Sequence, residues 1–307
     1  MNSREVDNDK LLLMFRRIIG ATAKQGALLL NCEDERLESD IPSLKTVINH
    51  ISDLRTTGLL DRTIYRFEEI GKAGVYSLSR EGMRYLQMSK DEIAWLEDQI
   101  SHFKAQGARS IQRLLTINDM RLDLCELVLS NPDLSLNRWL WRSELVSPWL
   151  TKTEVPIPPS IHGPVDGFCA VEYQGKLFNC ILVVESRGAG FEENLKRLAE
   201  IFGAYLDGHF GDRKSENMPL FLFIAEDDEK MCRVWEEVFC RLVDEKLSNL
   251  VTNEGSEDPF ILKWRFATRQ HLGIGFSLKD GSSREVNQAW TRILLADAAG
   301  YNPYCSQ

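Results

Sequence analysis

Apolar residues recur at helical spacing in two segments near the start of the chain. Residues 9–19 and 43–57 each have one apolar and one polar face, a pattern that predicts two amphipathic helices. Ser43 suits the start of the second helix and Gly58 its end, because a hydroxyl caps free amides and glycine accepts left-handed backbone. We expect a middle helix between them, over residues 22–30.

Two strand-like runs follow the second helix and predict a β-hairpin. They cover residues 62–70 and 74–79, and the segment Gly71–Gly74 is expected to form the turn. Residues 79–88 then open a further helix. Helices followed by a hairpin in this order are typical of a winged helix-turn-helix module. We therefore expect a winged-helix DNA-binding domain over residues 1–88.

The rest of the chain predicts a helical connector and then an α/β domain. Residues 89–115 have helical spacing interrupted by one glycine, and residues 117–129 predict a separate helix capped near Asn118. This connector, residues 89–130, is expected either to pair two copies of the chain or to pack on the next domain. Residues 131–307 contain a hairpin of strands followed by alternating helix and strand, which indicates a mixed sheet. The predicted strands cover residues 166–173, 176–186, 218–226 and 260–268, and the predicted helices cover residues 191–206 and 228–247.

Charge is distributed unevenly along the chain. The net charge is −9, yet residues 41–90 contain eight Lys or Arg and only five Asp or Glu. Residues 33–40 are acidic, and we expect this segment to face away from any DNA. A locally basic module on an acidic body is compatible with a polyanionic partner.

The sequence predicts a cytoplasmic protein with no membrane partner. It has no apolar run long enough to span a bilayer, and its first residues lack the basic and apolar regions of a signal peptide. The seven cysteines include no C-x-x-C pair, which favours reduced thiols and disfavours a structural zinc site.

The predicted second helix and the hairpin carry polar residues that could contact duplex DNA. On the helix they are Ser43, Lys45, Thr46, Asn49, His50 and Arg55, and on the hairpin they are Arg62, Arg66 and Lys72. Asparagine can read an adenine edge, whereas lysine and arginine bind phosphate or guanine. Such contacts require no cofactor. The alternative is that these residues are solvated charges on a module that contacts proteins.

Three carboxylates of the second domain have the order of a metal-dependent nuclease site. Glu144 is predicted on a helix, Asp166 at a strand start and Glu185 at a strand end, and a hairpin could bring the last two together as ligands of Mg²⁺ or Mn²⁺. This order resembles the PD-(D/E)xK nuclease fold, in which a lysine activates water. Arg187 occupies the lysine position and is ill suited as a general base, so Lys196 on the next helix is a candidate replacement. The alternative is that these residues have structural roles in a turn and at a strand end.

Several short motifs resemble, in order, the replication–relaxation family of plasmid and mobile-element proteins. They are VYSLSREGMRYL (75–86), RLLTINDMRLDL (113–124), WRSE (141–144), PVDG (164–167), VVESRG (183–188) and PLFLFIAE (219–226). The resemblance covers roughly residues 40–270 and implies a winged helix followed by a restriction-endonuclease-like domain. The chain has Pro-Val-Asp-Gly and Glu-Ser-Arg-Gly where the family commonly has P-D-G and E-x-D-x-G.

Three functions are compatible with these features. The first is a DNA-binding protein, expected to be a homodimer, that regulates or assembles a replication, transfer or transcription complex with other proteins of a plasmid or mobile element. The second is a metal-dependent endonuclease that the winged helix targets to DNA. The third is an interaction scaffold that binds no DNA.

Overall fold

The chain is a mixed α and β protein with two sheets, as the sequence predicts. The computed structural model describes residues 6–33, 42–67, 71–150, 157–185, 191–210, 218–225 and 263–268, with residues 229, 234 and 242 as isolated positions. Two compact units, Met1–Leu122 and Asp123–Gln307, divide the chain inside the predicted connector. In the described ranges, no helix combines the length and the apolarity that crossing a membrane requires.

The first unit is built from helices around a small antiparallel sheet. Its elements are α1 (Asn8–Ile18), β1 (Ala21–Thr22), α2 (Ala23–Glu33), α3 (Leu44–Thr56), β2 (Leu60–Phe67), β3 (Gly71–Leu78), α4 (Arg80–Tyr85), α5 (Lys90–Gln106) and the first part of α6 (Ala108–Ser130). The strand order is β1-β3-β2, and both pairs are antiparallel. The predicted helices over 9–19, 22–30 and 43–57 and the predicted hairpin are confirmed.

Side-chain caps explain where several of these helices begin. The Asp7 carboxylate accepts a hydrogen bond from the Asp9 amide at 2.9 Å, and the Ser43 hydroxyl accepts one from the Thr46 amide at 3.2 Å. Such bonds satisfy amides that have no partner within the first helical turn. The Ser79 hydroxyl accepts a bond from the Gly82 amide at 3.0 Å in the same way at the start of α4.

Two predictions about local structure in this unit are wrong. The segment Gly71–Gly74 is not the hairpin turn, since it forms the start of β3 and its residues pair with β2. Gly74 looks like a turn residue, but it pairs with Ile64 inside the strand, and the Arg62 side chain takes the space that a Cβ atom would need there. The second error is the helix start near Asn118, since residues 108–130 form one helix. Asn118 is fully buried, and its side chain donates to the Gly20 carbonyl at 2.9 Å.

The second unit contains a five-stranded mixed sheet. After the end of α6 its elements are β4 (Leu134–Trp141), α7 (Arg142–Val146), a 3-10 turn (Pro159–Ile161), β5 (Gly167–Tyr173), β6 (Lys176–Val184), α8 (Phe191–Leu206), β7 (Leu220–Ala225) and β8 (Trp264–Thr268). The strand order is β4-β5-β6-β7-β8, antiparallel from β4 to β6 and parallel from β6 to β8. The sequence predicts every strand of this sheet except β4. The predicted helix over 228–247 lies outside the described residues apart from three positions.

Helix α8 and one face of this sheet form the core of the second unit. Leu198, Ile201 and Phe202 of the helix pack with sheet residues such as Phe168 and Phe221. Because β5 and β6 are buried along most of their length, they carry near-continuous apolar runs instead of an alternating pattern. The β5–β6 turn falls at Gln174 and Gly175, as predicted, and both residues have positive φ, 49° and 76°.

Candidate functional site

The exposed face of α3 carries several of the predicted DNA-contacting residues. Lys45, Asn49 and Arg55 are exposed, whereas Val47 and Ile51 are buried in the first unit. The helical spacing that buries one face therefore presents the other to solvent.

Three other predicted contact residues of α3 already have partners. The hydroxyl groups of Ser43 and Thr46 are hydrogen-bonded to each other at 2.7 Å, and Ser43 also caps the helix. His50 is half-buried, and its Nε2 is hydrogen-bonded to the Asn8 side chain on α1. These three residues shape the helix start and its contact with α1.

The β2–β3 hairpin has one face that carries three exposed cations. Arg62 and Arg66 alternate along β2 with Ile64, and Lys72 lies directly opposite Arg66 on β3. Since side chains on a strand alternate between the two faces, all four lie on one face. Ile64 is 54% exposed. Along the hairpin this face therefore carries Arg62, then the apolar Ile64, then the Arg66–Lys72 pair.

The five cations on α3 and this hairpin face differ from three arginines of the first unit. Arg16 pairs with Glu92, Arg84 pairs with Glu81, and Arg80 lies 3.5 Å from Glu97. By contrast, within the described part of the chain no carboxylate is in ion-pairing distance of Lys45, Arg55, Arg62, Arg66 or Lys72. We call these five residues the basic surface.

Acidic residues near the basic surface limit its positive potential. Asp53 is exposed on α3, one helical turn beyond Asn49. Asp61 lies on the opposite face of β2 from Arg62, and the Lys104 ammonium lies 3.8 Å from its carboxylate. Glu68 and Glu69, which follow β2 in the sequence, lie outside the described residues.

The predicted carboxylate cluster has a different arrangement from a metal site. Asp166 is 4% exposed, and its Oδ2 accepts hydrogen bonds from the Arg197 guanidinium at 2.5 Å and from the Val184 amide at 2.7 Å. Arg197, on α8, is 6% exposed and also donates to the carbonyl oxygens of Pro164 at 2.8 Å and Val184 at 2.7 Å. One buried arginine thus joins the end of β6, the start of β5 and the helix between β6 and β7.

The other predicted site residues do not join this ion pair in the contacts that the structure shows. Glu144 is buried and accepts a hydrogen bond from the Trp141 amide at 3.0 Å, which caps α7. Glu185 is half-buried at the end of β6, and its amide donates to Ile224 at 2.8 Å. Lys196 is exposed on α8, while Arg187 lies outside the described residues.

The predicted ligands of Mg²⁺ or Mn²⁺ do not form a metal-binding group among the described residues. A divalent ion needs several oxygen ligands that converge and are free to bind it. In the ranges that the structure describes, no group of three or more His, Cys, Asp or Glu side chains is placed to hold a metal. The Oδ2 atom of Asp166 already accepts bonds from a guanidinium and an amide, so the described residues do not fit a metal centre.

Arg197, Gly74 and Tyr76 are the residues that sequence reasoning missed. Arg197 could have been found from helical phase, because it lies four residues before the buried Ile201 and so shares the apolar face of α8. An arginine at such a position needs a buried partner. Gly74 and Tyr76 gave no such signal, because only the hairpin register places them beside Arg62.

Comparison with known proteins gives no further evidence about these residues. No protein-family model, curated protein or solved structure matches the chain.

Proposed function

We propose that the first unit is a winged helix that binds duplex DNA, with α3 as the recognition helix and the β2–β3 hairpin as the wing. The observation that carries this proposal is the basic surface, five exposed cations without an ion-pairing partner among the described residues. Cations that serve only solubility are commonly interspersed with acids, as Arg80 and Arg84 are in this unit.

The order of the elements supports this proposal. Three helices, a short strand after the first helix and a hairpin after the third are the parts of a winged helix, and the strand order β1-β3-β2 places the hairpin beside the short strand. In such modules the third helix enters the major groove and the hairpin reaches the DNA backbone.

The hairpin also has a cross-strand pair of like charges. Arg66 and Lys72 are direct partners in the register of β2 and β3. Like charges placed directly opposite on a sheet destabilise it. A polyanion bound between or above them would relieve this repulsion, so the pair favours a phosphate-bearing ligand over a protein partner of mixed charge.

Roles follow from the chemistry of each side chain. Asn49, at the centre of the exposed α3 face, is the residue suited to reading a base edge. Lys45 and Arg55 are suited to phosphate or guanine, and the hairpin cations to phosphate. We further propose a cytoplasmic homodimer that works with other proteins in replication, transfer or transcription of a plasmid or mobile element. The family resemblance supports the process, the helical connector supports the dimer, and the reduced cysteines support the location.

The test measures binding of a mixed-sequence duplex by fluorescence anisotropy at several salt concentrations. Lys45→Glu/Arg62→Glu should reduce affinity at least about a hundredfold at low salt, since four units of charge change at the interface. For the wild type, log affinity should fall with log salt with a slope of about −4, as expected for roughly four to five phosphate contacts.

The matched control is Arg80→Glu/Arg84→Glu, which makes the same charge change outside α3 and the hairpin. It should retain most of the affinity, and both double variants should keep the circular-dichroism spectrum of the wild type. Equal losses in the two double variants, or a wild type that binds no duplex, would refute the proposed interface and favour the scaffold.

For the second unit we propose a structural or partner-binding role without DNA cleavage. The Asp166–Arg197 ion pair supports this proposal, because it occupies one oxygen, Oδ2, of the carboxylate that hydrolysis through a metal would use. Nicking of supercoiled DNA by the wild type with Mn²⁺, lost on Glu185→Gln, would overturn it and support the endonuclease alternative.

A further inference from the structure

Arg62 differs from the other four residues of the basic surface, because contacts with β3 fix the position of its side chain. Its guanidinium carbon lies over the ring of Tyr76, 5.7 Å from the ring centre. The same side chain passes directly over Gly74, two residues earlier on β3. A Cβ atom at position 74 would lie 2.9 Å from both the guanidinium carbon and Nη2, and closer still to Nε.

Glycine at position 74 therefore forms a notch in which the arginine lies. The φ of Gly74 is not in the left-handed region, so the backbone there does not itself require glycine. What excludes a side chain is the space taken by Arg62. Tyr76 is 7% exposed, so its ring is a fixed support beneath the cation.

The N–H groups of Arg62 stay available to a ligand. A cation–π contact uses the face of the ring and consumes none of the five N–H donors of a guanidinium. Arg62 is exposed, and its side chain donates to no acceptor in the described ranges. Its fork of donors matches two oxygens of one phosphate group.

We propose that Gly74 and Tyr76 hold Arg62 in advance in the position from which it binds one backbone phosphate, and that Arg62 thereby sets the register of the hairpin on the duplex. The inference rests on the proposed function. Holding a long side chain before binding removes the ordering cost that binding would otherwise include. Arg66 and Lys72, which have no such support on the described strands, add attraction without a defined geometry.

The decisive variant is Gly74→Ala, which moves Arg62 without changing any charge. The methyl group needs the space of the guanidinium, and the flexible side chain is the part that moves. We expect affinity for a mixed-sequence duplex to fall about threefold to tenfold, the range for one side chain that must be ordered on binding. The salt slope should stay that of the wild type, whereas Arg62→Ala should make it shallower by about 1.

A double-mutant cycle separates this role from a general effect on the hairpin. If the notch acts through Arg62, Arg62→Ala/Gly74→Ala should bind as Arg62→Ala does, with no further loss. Tyr76→Leu should lower affinity as Gly74→Ala does, and Tyr76→Phe should not, because only the ring supports the cation. Gly203→Ala, at a glycine with open space around it, is the control for the substitution type.

Each outcome bears on one claim. A wild type that binds no duplex refutes the proposed function. A wild type that binds while Gly74→Ala binds equally well, or additive losses in the double variant, overturns only the role of the notch. If Gly74→Ala lowers the melting temperature too far to be assayed, the comparison of Tyr76→Leu with Tyr76→Phe decides, and equal affinities for those two overturn the inference.

Discussion

Replacing Arg197 with methionine removes the charge that neutralises a buried carboxylate. In the variant the Asp166 side chain keeps its bond from the Val184 amide but loses the guanidinium, and the carbonyls of Pro164 and Val184 lose their donors. Breaking one partner of a buried ion pair costs about 3–5 kcal/mol. The free energy of unfolding of the second unit should therefore fall by about 4 kcal/mol, and its melting temperature by roughly 8–16 °C.

The chain provides both a reporter and a matched control for this measurement. Six of the seven tryptophans lie after residue 122, so intrinsic fluorescence in a urea titration reports mainly on the second unit. Lys196→Met changes the neighbouring, exposed cation of the same helix and should shift the free energy of unfolding by no more than about 0.5 kcal/mol. Asp166→Asn/Arg197→Met should recover at least half of the loss, because no buried charge is left unpaired.

Two results would refute this reasoning. Arg197→Met could unfold within about 1 kcal/mol of Lys196→Met, which would mean that the buried pair contributes little. The losses in Asp166→Asn and Arg197→Met could instead add in the double variant, which would mean that the two side chains do not act as a pair.

Two further predictions concern the first unit. Asp53→Asn should raise affinity for duplex DNA about two- to threefold at low salt. This is the effect of removing one negative charge about 7 Å from a phosphate in water. Unchanged or weaker binding in anisotropy titrations would place α3 away from DNA. Gly82→Ala should lower the free energy of unfolding by about 1–3 kcal/mol, although alanine normally favours a helix, because its Cβ would overlap the Leu59 carbonyl and lie 2.9 Å from Leu78. Hydrogen exchange of the β2–β3 amides would report this loss, and slower exchange in the variant would contradict the predicted clash.

The helices and most strands could be predicted because their periodicity is local. The apolar face of α3 and the long apolar runs of β6 and β7 can each be recognised from the residues of that element alone. Strand β4 was missed because its register shifts between Leu136 and Arg138, and a bulge breaks the alternation that identifies a strand.

The candidate site was less predictable because it depends on pairing between distant residues. Sequence spacing predicts that Asp166 and Glu185 lie at the same end of neighbouring strands, but it cannot show that Arg197 forms an ion pair with Asp166. In the same way, Arg62 was identified as a cation of the wing, whereas its support by Tyr76 follows only from the register of β2 and β3.

The buried ion pair also bears on how strands β5 and β6 choose their alignment. Residues 167–171 and 180–184 are buried on both faces, so sliding one strand by one position would exchange apolar side chains for apolar side chains at little cost. The same slip would carry the Val184 amide away from Asp166 and draw the buried carboxylate away from the Arg197 guanidinium. The polar contacts of Asp166 therefore select one alignment among several that hydrophobic burial alone would accept.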